Sequence, residues 1–470
     1  MKRMFAVLFF AICSLSPTVS RAQFTVLHNF FSAPYDGQNP WGDLTISGKT
    51  LFGMTSEGGL SHTFNAGCIF SIDTDGNNYK ILLDFNDTSG GYPLGSLTFS
   101  KGKLYGMTSN GGVKGYGSIF SIDTDGNNFK NLLYFNDTNG KTPHGSLILI
   151  RNRLYGTTEA GGAYDSGCIF SIDTSGSHYI KLLDFNKTTG AFPANSLIFS
   201  GSRLYGMTVR GGNYDSGCIF SIDTDGSHYK ILFNNFNSTN GGLPNSSLTL
   251  SGKALYGMAQ VGGAYKFGCI FSIDTNGNNY KKLLDFDDTN GYLPSGSLTL
   301  FGSTLYGMTP GRAPLINGNI FSIDTDGSKF KIMYIFNGVS WGSNPWGSLI
   351  YVSNVLYGMT YYGGIYQNGI IFKMDTNAIA GVDNVTVNKG KISVYPNPSN
   401  GVFTLSLSNV TENCNVEIYD VLGEKIYSQL IIANSQLTIN LSNQPNGIYL
   451  YRVIGGTGDL VGEGKVLIQR

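Results

Sequence analysis

Charge is scarce in this chain. Only 13% of its 470 residues are Asp, Glu, Lys or Arg, and 31 basic side chains balance 31 acidic ones. A protein that binds nucleic acid by neutralising phosphates needs a basic excess, so no nucleic-acid partner is expected. Long apolar runs are also missing. Beyond the N-terminus nothing approaches the roughly 20 apolar residues of a membrane-crossing helix, so no transmembrane segment is expected. Apolar residues never recur at the i, i+3, i+4 spacing of an amphipathic helix. Six cysteines offer no disulfide framework and no zinc-type spacing. The five histidines (His28, His62, His144, His178 and His228) form no i, i+4 metal pair and are expected to be exposed turn residues. No metal and no cofactor is therefore expected. With no GxSxG elbow and no phosphate-binding glycine loop, no catalytic residue is assigned.

What is abundant is glycine (64), phenylalanine (30) and tyrosine (28), a mix that suits short aromatic-rich strands joined by tight turns. The N-terminal "MKRMFAVLFFAICSLSPTVSRAQ" places Lys2 and Arg3 before an apolar stretch and a Ser20-Arg21-Ala22 site. That pattern is a secretory signal peptide over residues 1–22.

The rest of the chain repeats itself. "LYGMTSNGG" from Leu104 has relatives whose glycines are Gly53, Gly106, Gly156, Gly206, Gly257, Gly307 and Gly358, at intervals of 50 to 53 residues. "IFSIDTDG", "YKILLDF" and a Pro-x-x-Ser-Leu phrase travel with it. Each unit reads as four short strands, and "DTDG" is the turn between the third and fourth. Its aspartates resemble a calcium loop, but Gly76 falls too early for that role, so they are read as turn residues. Four antiparallel strands repeated about every 50 residues describe a propeller blade. The expected fold is all-β: a seven-bladed β-propeller over 23–376, a linker over 377–391, and a small β-sandwich over 392–470. "FTVLHNF" (Phe24–Phe30) is a displaced relative of "YKILLDF", and the seventh unit lacks that strand. The N-terminal strand is expected to complete the last blade beside Ile370–Met374. Cys68, Cys168, Cys218 and Cys269 share one slot before "IF", too far apart to pair, and are read as small buried apolar residues.

"LYGMTSNGG…GSIFSIDTDG…LLYF" resembles the bacterial GloVer tandem repeat of secreted proteins with interchangeable C-terminal anchors. After Thr376 the text changes. "ISVYPNPSNGVFTLSL" from Ile392, "QPNGIYLYRV" from Gln444 and the terminal "GKVLIQR" resemble the C-terminal sorting domain of the type IX secretion system of Bacteroidetes. The motif residues are Tyr395, Pro396, Asn397 and Pro398, then Gly447, Ile448 and Tyr449. The resemblance implies the type IX machinery as a partner, export across the outer membrane, and release or surface attachment.

Two positions after the Thr of each LYGMT vary freely while the frame holds: Ser56-Glu57, Ser109-Asn110, Glu159-Ala160, Val209-Arg210, Gln260-Val261, Pro310-Gly311 and Tyr361-Tyr362. Function on repeat scaffolds resides in such loops. Trp41 and Trp346 occupy the same "NPWG" slot in units one and seven, neighbours in a closed ring, and Trp341 lies five residues earlier. All three indoles are expected at one seam of the loop face. Aromatic anchors for a glycan or protein ligand are thus Trp41, Trp341, Trp346, Tyr361 and Tyr362, with Tyr164, Tyr214, Tyr265 and Tyr366 of the double-glycine loops. The expected role is a secreted or cell-surface, non-catalytic binding platform. The alternative is a carbohydrate-active hydrolase or lyase with Glu57 and Glu159 at the ring mouth.

Overall fold

A computed structural model of the protein describes residues 24–31, 36–59, 65–312, 316–338, 340–376, 391–408, 413–420, 424–455 and 460–470. The expected signal peptide and nearly all of the expected linker lie outside them. Every regular element among the described residues is a strand. The chain divides into two compact units, 1–380 and 381–470.

In the first unit, seven antiparallel sheets of four strands follow one another. The second is typical: Thr98–Ser100, Lys103–Thr108, Ser118–Asp123 and Lys130–Tyr134 pair in chain order. The glycine of each LYGMT is required by close approach. A Cβ on Gly106 would stand 2.5 Å from the Phe120 ring, which lies across it from the neighbouring strand, and Gly53 stands in the same relation to Phe70. Dense cores tolerate no such overlap.

That phenylalanine also joins the blades. In each interface it meets a phenylalanine that follows the fourth strand of an adjacent blade, edge to face: Phe85–Phe120, Phe135–Phe170, Phe185–Phe220, Phe236–Phe271, Phe286–Phe321 and Phe336–Phe372, at 5.3 to 5.6 Å. The seventh pair is Phe30–Phe70 at 5.4 Å, across the seam between the last blade, which the chain's beginning completes, and the first. Edge-to-face geometry sets the positive ring rim on the negative face of its partner.

The seam copies the other interfaces because the N-terminal strand copies a fourth strand. Phe24–Asn29 pairs antiparallel with Ile370–Asp375, with Phe24 opposite Met374 and Asn29 opposite Ile370. Within blades, one residue of the fourth strand bulges out: Leu82 stands between Ile81, opposite Phe70, and Leu83, opposite Ile69. Leu27 does the same between Val26 and His28. The bulge matters because the "DTDG" glycine of the next blade packs on it, Gly126 against Leu82 and Gly76 against Leu27.

The four slot-sharing cysteines are wholly buried and unpaired by disulfides. Burial pushes the thiols of Cys68 and Cys269 up to about 12, and those of Cys168 and Cys218 to about 11, which leaves them inert.

The second unit carries a three-stranded sheet (Lys391–Tyr395, Val402–Ser408, Gln436–Asn440) and a four-stranded one (Lys425–Ile431, Cys414–Tyr419, Gly447–Gly455, Leu460–Ile468). Its first strand begins at Lys391, one residue before the expected start. Alternation buries Phe403, Leu405 and Leu407 against Val416, Ile418, Val453 and Val466. The sorting motif is pinned here. Asn397 donates to the Lys465 carbonyl and accepts from the Leu467 amide, both at 2.9 Å. The buried Tyr449 hydroxyl donates to the Pro445 carbonyl, while Tyr395 and Ile448 are exposed.

Removing Phe24–Asn29 unpairs Ile370–Asp375 and uncovers the core beneath. The melting temperature should fall by more than about 5 °C, because several kcal/mol of burial and pairing disappear. An unchanged melt by calorimetry would contradict this closure.

Candidate binding site at the axial collar

The Pro-x-x-Ser slot opens the first, innermost strand of each blade, and its serine does more than turn the chain. The Asp43 amide donates to Ser96 Oγ, and the Ser96 amide to Ser146 Oγ. The relay continues through Ser196, Ser247, Ser297 and Ser348. The Ser348 amide then donates to Asp43 Oδ1, so seven bonds of 2.5 to 3.0 Å close a circuit. Each bond crosses one blade interface. The preceding slot is glycine in five units because the inner strands nearly touch: a Cβ on Gly95 would lie 2.4 Å from the Gly145 carbonyl oxygen.

Asp43 is the one carboxylate in a position otherwise held by serine. Burial raises its pKa, opposed by hydrogen bonds from the Ser348 backbone and side chain and from Ser96. The circuit surrounds an axial cavity of about 90 Å³. Two residues upstream of the circuit, one side chain per unit forms a collar: Trp41, Leu94, His144, Ala194, Asn245, Ser295 and Trp346.

Trp41 and Trp346 stack in parallel across the seam, centroids 5.2 Å apart and planes within 7°. Both are half-buried. Tyr361 sets its edge to Trp41 at 5.4 Å, and Tyr362 is edge-on to Tyr361 at 4.5 Å. Burial, with Glu57 nearby, pushes the Tyr361 hydroxyl up to about 12. Trp341 corrects the expectation of three gathered indoles. It packs edge-on to Phe24 at 5.9 Å, where the N-terminal strand meets the sixth blade's outer strand, and it does not line the cavity.

The variable pairs divide their labour. Backbones of the second members bridge to the incoming connector, as in Asn110 with Gly91, Arg210 with Ala191 and Tyr362 with Ser343. Three first members reach the collar, while Ser56 and Ser109 donate to the connector carbonyls of Asn39 and Tyr92. Glu159 holds His144 at 3.0 Å, Gln260 Nε2 donates to Ser295 Oγ at 3.2 Å, and Tyr361 supports Trp41.

Two histidines also depart from expectation. His178 and His228 are exposed turn residues, but His144 is partly buried, and burial lowers its pKa against the opposing pull of Glu159. His28 is bonded to the buried Asp36 at 2.7 Å and stacks on Tyr79 at 3.7 Å. His62 lies outside the described residues. The double-glycine-loop tyrosines sit away from the collar lining. Tyr164, Tyr214 and Tyr265 are 58 to 63% exposed, and Tyr366 meets Phe31 edge-on. No group of three or more His, Cys, Asp or Glu among the described residues is placed to hold a metal.

Comparison with known families agrees with this architecture. The model of the Gloeobacter/Verrucomicrobia repeat matches residues 11–198 and 147–314. The chain belongs to that repeat family. The secretion system C-terminal sorting domain matches residues 393–469. The repeat protein therefore carries a type IX sorting domain, as secreted or surface-attached proteins do. No curated protein matches it. Among solved structures, the extracellular domain of BT4673 from B. thetaiotaomicron is 13% identical, with a TM-score of 0.50 over 92% of this chain and 57% of that one. PorZ, a surface component of the type IX system of Porphyromonas gingivalis, is 14% identical, with a TM-score of 0.45 over 94% and 61%. The β-propeller domain of the Trilobed protease from Pyrococcus furiosus is 11% identical, with a TM-score of 0.43 over 72% and 94%. The chain spans about six-tenths of the length of the first two. At these identities the likeness concerns fold alone.

A raised pKa makes Asp43 a pH-dependent link in the circuit. An acid whose folded pKa exceeds its unfolded value contributes stability at low pH, and that contribution is lost as pH rises through the folded value. Asp43→Ser should therefore gain stability relative to the wild type as pH rises from about 4, the unfolded Asp value. Urea midpoints at acidic and neutral pH check this; a pH-independent difference would count against it.

Proposed function

We propose that the collar face is a non-catalytic platform for a glycan or protein ligand, displayed outside the cell by the sorting domain. The observation that carries the reading is the Trp41–Trp346 stack at the mouth of the axial cavity. Half-buried indoles in a polar surround are typical binding anchors: a flat apolar area with a polar edge and little side-chain entropy left to lose. The frame residues explain the fold without these two tryptophans, since five other units fill the slot with small, polar or aliphatic side chains. Tyr361 and Tyr362 widen the aromatic area on the same seam.

Purified protein applied to a glycan array and a polysaccharide panel should bind without releasing reducing ends. Trp41→Ala and Trp346→Ala should each weaken the strongest interaction by about tenfold, the worth of a buried aromatic contact. Release of reducing ends would favour a hydrolase or lyase instead.

The sorting domain yields a separate expectation. Deleting Lys391–Arg470 should leave a folded repeat unit in the periplasm. Normal surface levels of the truncated protein, measured by protease shaving of intact cells, would contradict export through this domain.

A further inference from the structure

The seven collar side chains are unevenly distributed. Going round the ring, Trp346, Trp41 and Leu94 come from consecutive blades and make an apolar arc. The opposite arc, from the third to the sixth blade, holds His144, Asn245 and Ser295 with the small Ala194 between them. We propose that the axial cavity is an end-on site for one uncharged pyranose residue, the terminus of a neutral glycan, its C–H face on the tryptophans and its hydroxyls toward the polar arc. This rests on the platform reading and narrows it to one ligand class and one pose.

Three observations point to a neutral sugar. First, Trp41 and Trp346 are stacked in parallel on each other, so the pair presents an outer face and a shared edge, not a converging cage. A cation is held instead by aromatic faces that converge on it. Second, the cavity lining contains no lysine or arginine, and the nearby cations are engaged elsewhere: Lys141 pairs with Asp137 and Asp165, and Arg210 with Asp215. A uronate, sialate or phosphate would find the Asp43 carboxyl in the lining and no counter-charge there. Third, the polar arc is pre-positioned. Glu159 holds His144, and Gln260 holds Ser295, so uncharged donors and acceptors stay in place before a ligand arrives. His144 stays neutral there, because burial lowers its pKa.

A cavity of about 90 Å³ holds several waters, which limits the guest to a single terminal residue. Ala194, the smallest collar side chain, leaves room for that residue within the polar arc. Because six different side chains fill the seven collar slots, hydroxyl configuration is read asymmetrically, and epimers should be distinguished.

The test uses the full chain, a printed array of neutral, uronate-bearing and sialylated glycans, free neutral monosaccharides as competitors, and oligolysine as a cationic peptide probe. Binding should favour neutral termini and be displaced by a matching monosaccharide. Ala194→Trp fills the cavity while leaving the tryptophan stack in place, and should reduce binding by at least about tenfold; Trp41→Ala should do likewise. Melting curves confirm that each variant is folded, and Ala194→Trp keeps the test valid if Trp41→Ala is not. If Trp41→Ala weakens binding but folded Ala194→Trp does not, the platform stands and the end-on pose is wrong. If neither changes binding to any glycan, both readings fall. Preference for acidic glycans, or oligolysine binding that Ala194→Trp abolishes, would overturn the neutral-sugar assignment.

Discussion

Seven backbone amides, each donating to the side chain of the next blade's matching residue, hold the inner strands at fixed spacing around the axis. Everything above them depends on that spacing. Each such bond contributes about 1 kcal/mol net, but an orphaned amide here would cost about 1–3 kcal/mol. A circuit, unlike a row, has no free end, so it sets the blade number as well as the blade contacts. Asp43 is the link between the first and last repeats, and its carboxyl accepts where the other six units present a hydroxyl. The collar stands two residues upstream of this circuit and inherits its geometry.

The division between frame and collar follows from what each position touches. Phe70, Gly53 and their counterparts meet another blade or strand at contact distance, so a change there disturbs packing throughout an interface. Collar side chains face a cavity and their supports face a loop, so they can differ between units without disturbing the frame. That is why Trp, Leu, His, Ala, Asn and Ser all occupy one slot, and why Glu159, Gln260 and Tyr361 each support it differently.

Much of this was legible in the sequence because the repeat is its own alignment. A shared slot predicts a shared place, so Trp41 and Trp346 could be set beside each other from their positions in the first and last units. "FTVLHNF" could be matched to its missing partner in the same way. Trp341 was misplaced because it has no counterpart slot. It lies in a connector, and five residues of loop do not fix a direction. The His144–Glu159 pair was missed since the two residues belong to different phrases, and each stands in a column that varies from unit to unit. The amide circuit was hidden for another reason: its donors are backbone groups, and a serine after a proline reads as turn chemistry. The visible trace was one serine per unit with Asp43 as the odd member.

The central claim is that the circuit is closed, seam included. Amide hydrogen exchange followed residue by residue tests it directly. The account predicts that the amides of Asp43, Ser96, Ser146, Ser196, Ser247, Ser297 and Ser348 exchange together, and only through unfolding of the whole repeat unit. Rapid exchange confined to Ser348, whose amide makes the bond across the seam, with the other six protected, would mean an open ring and would contradict it.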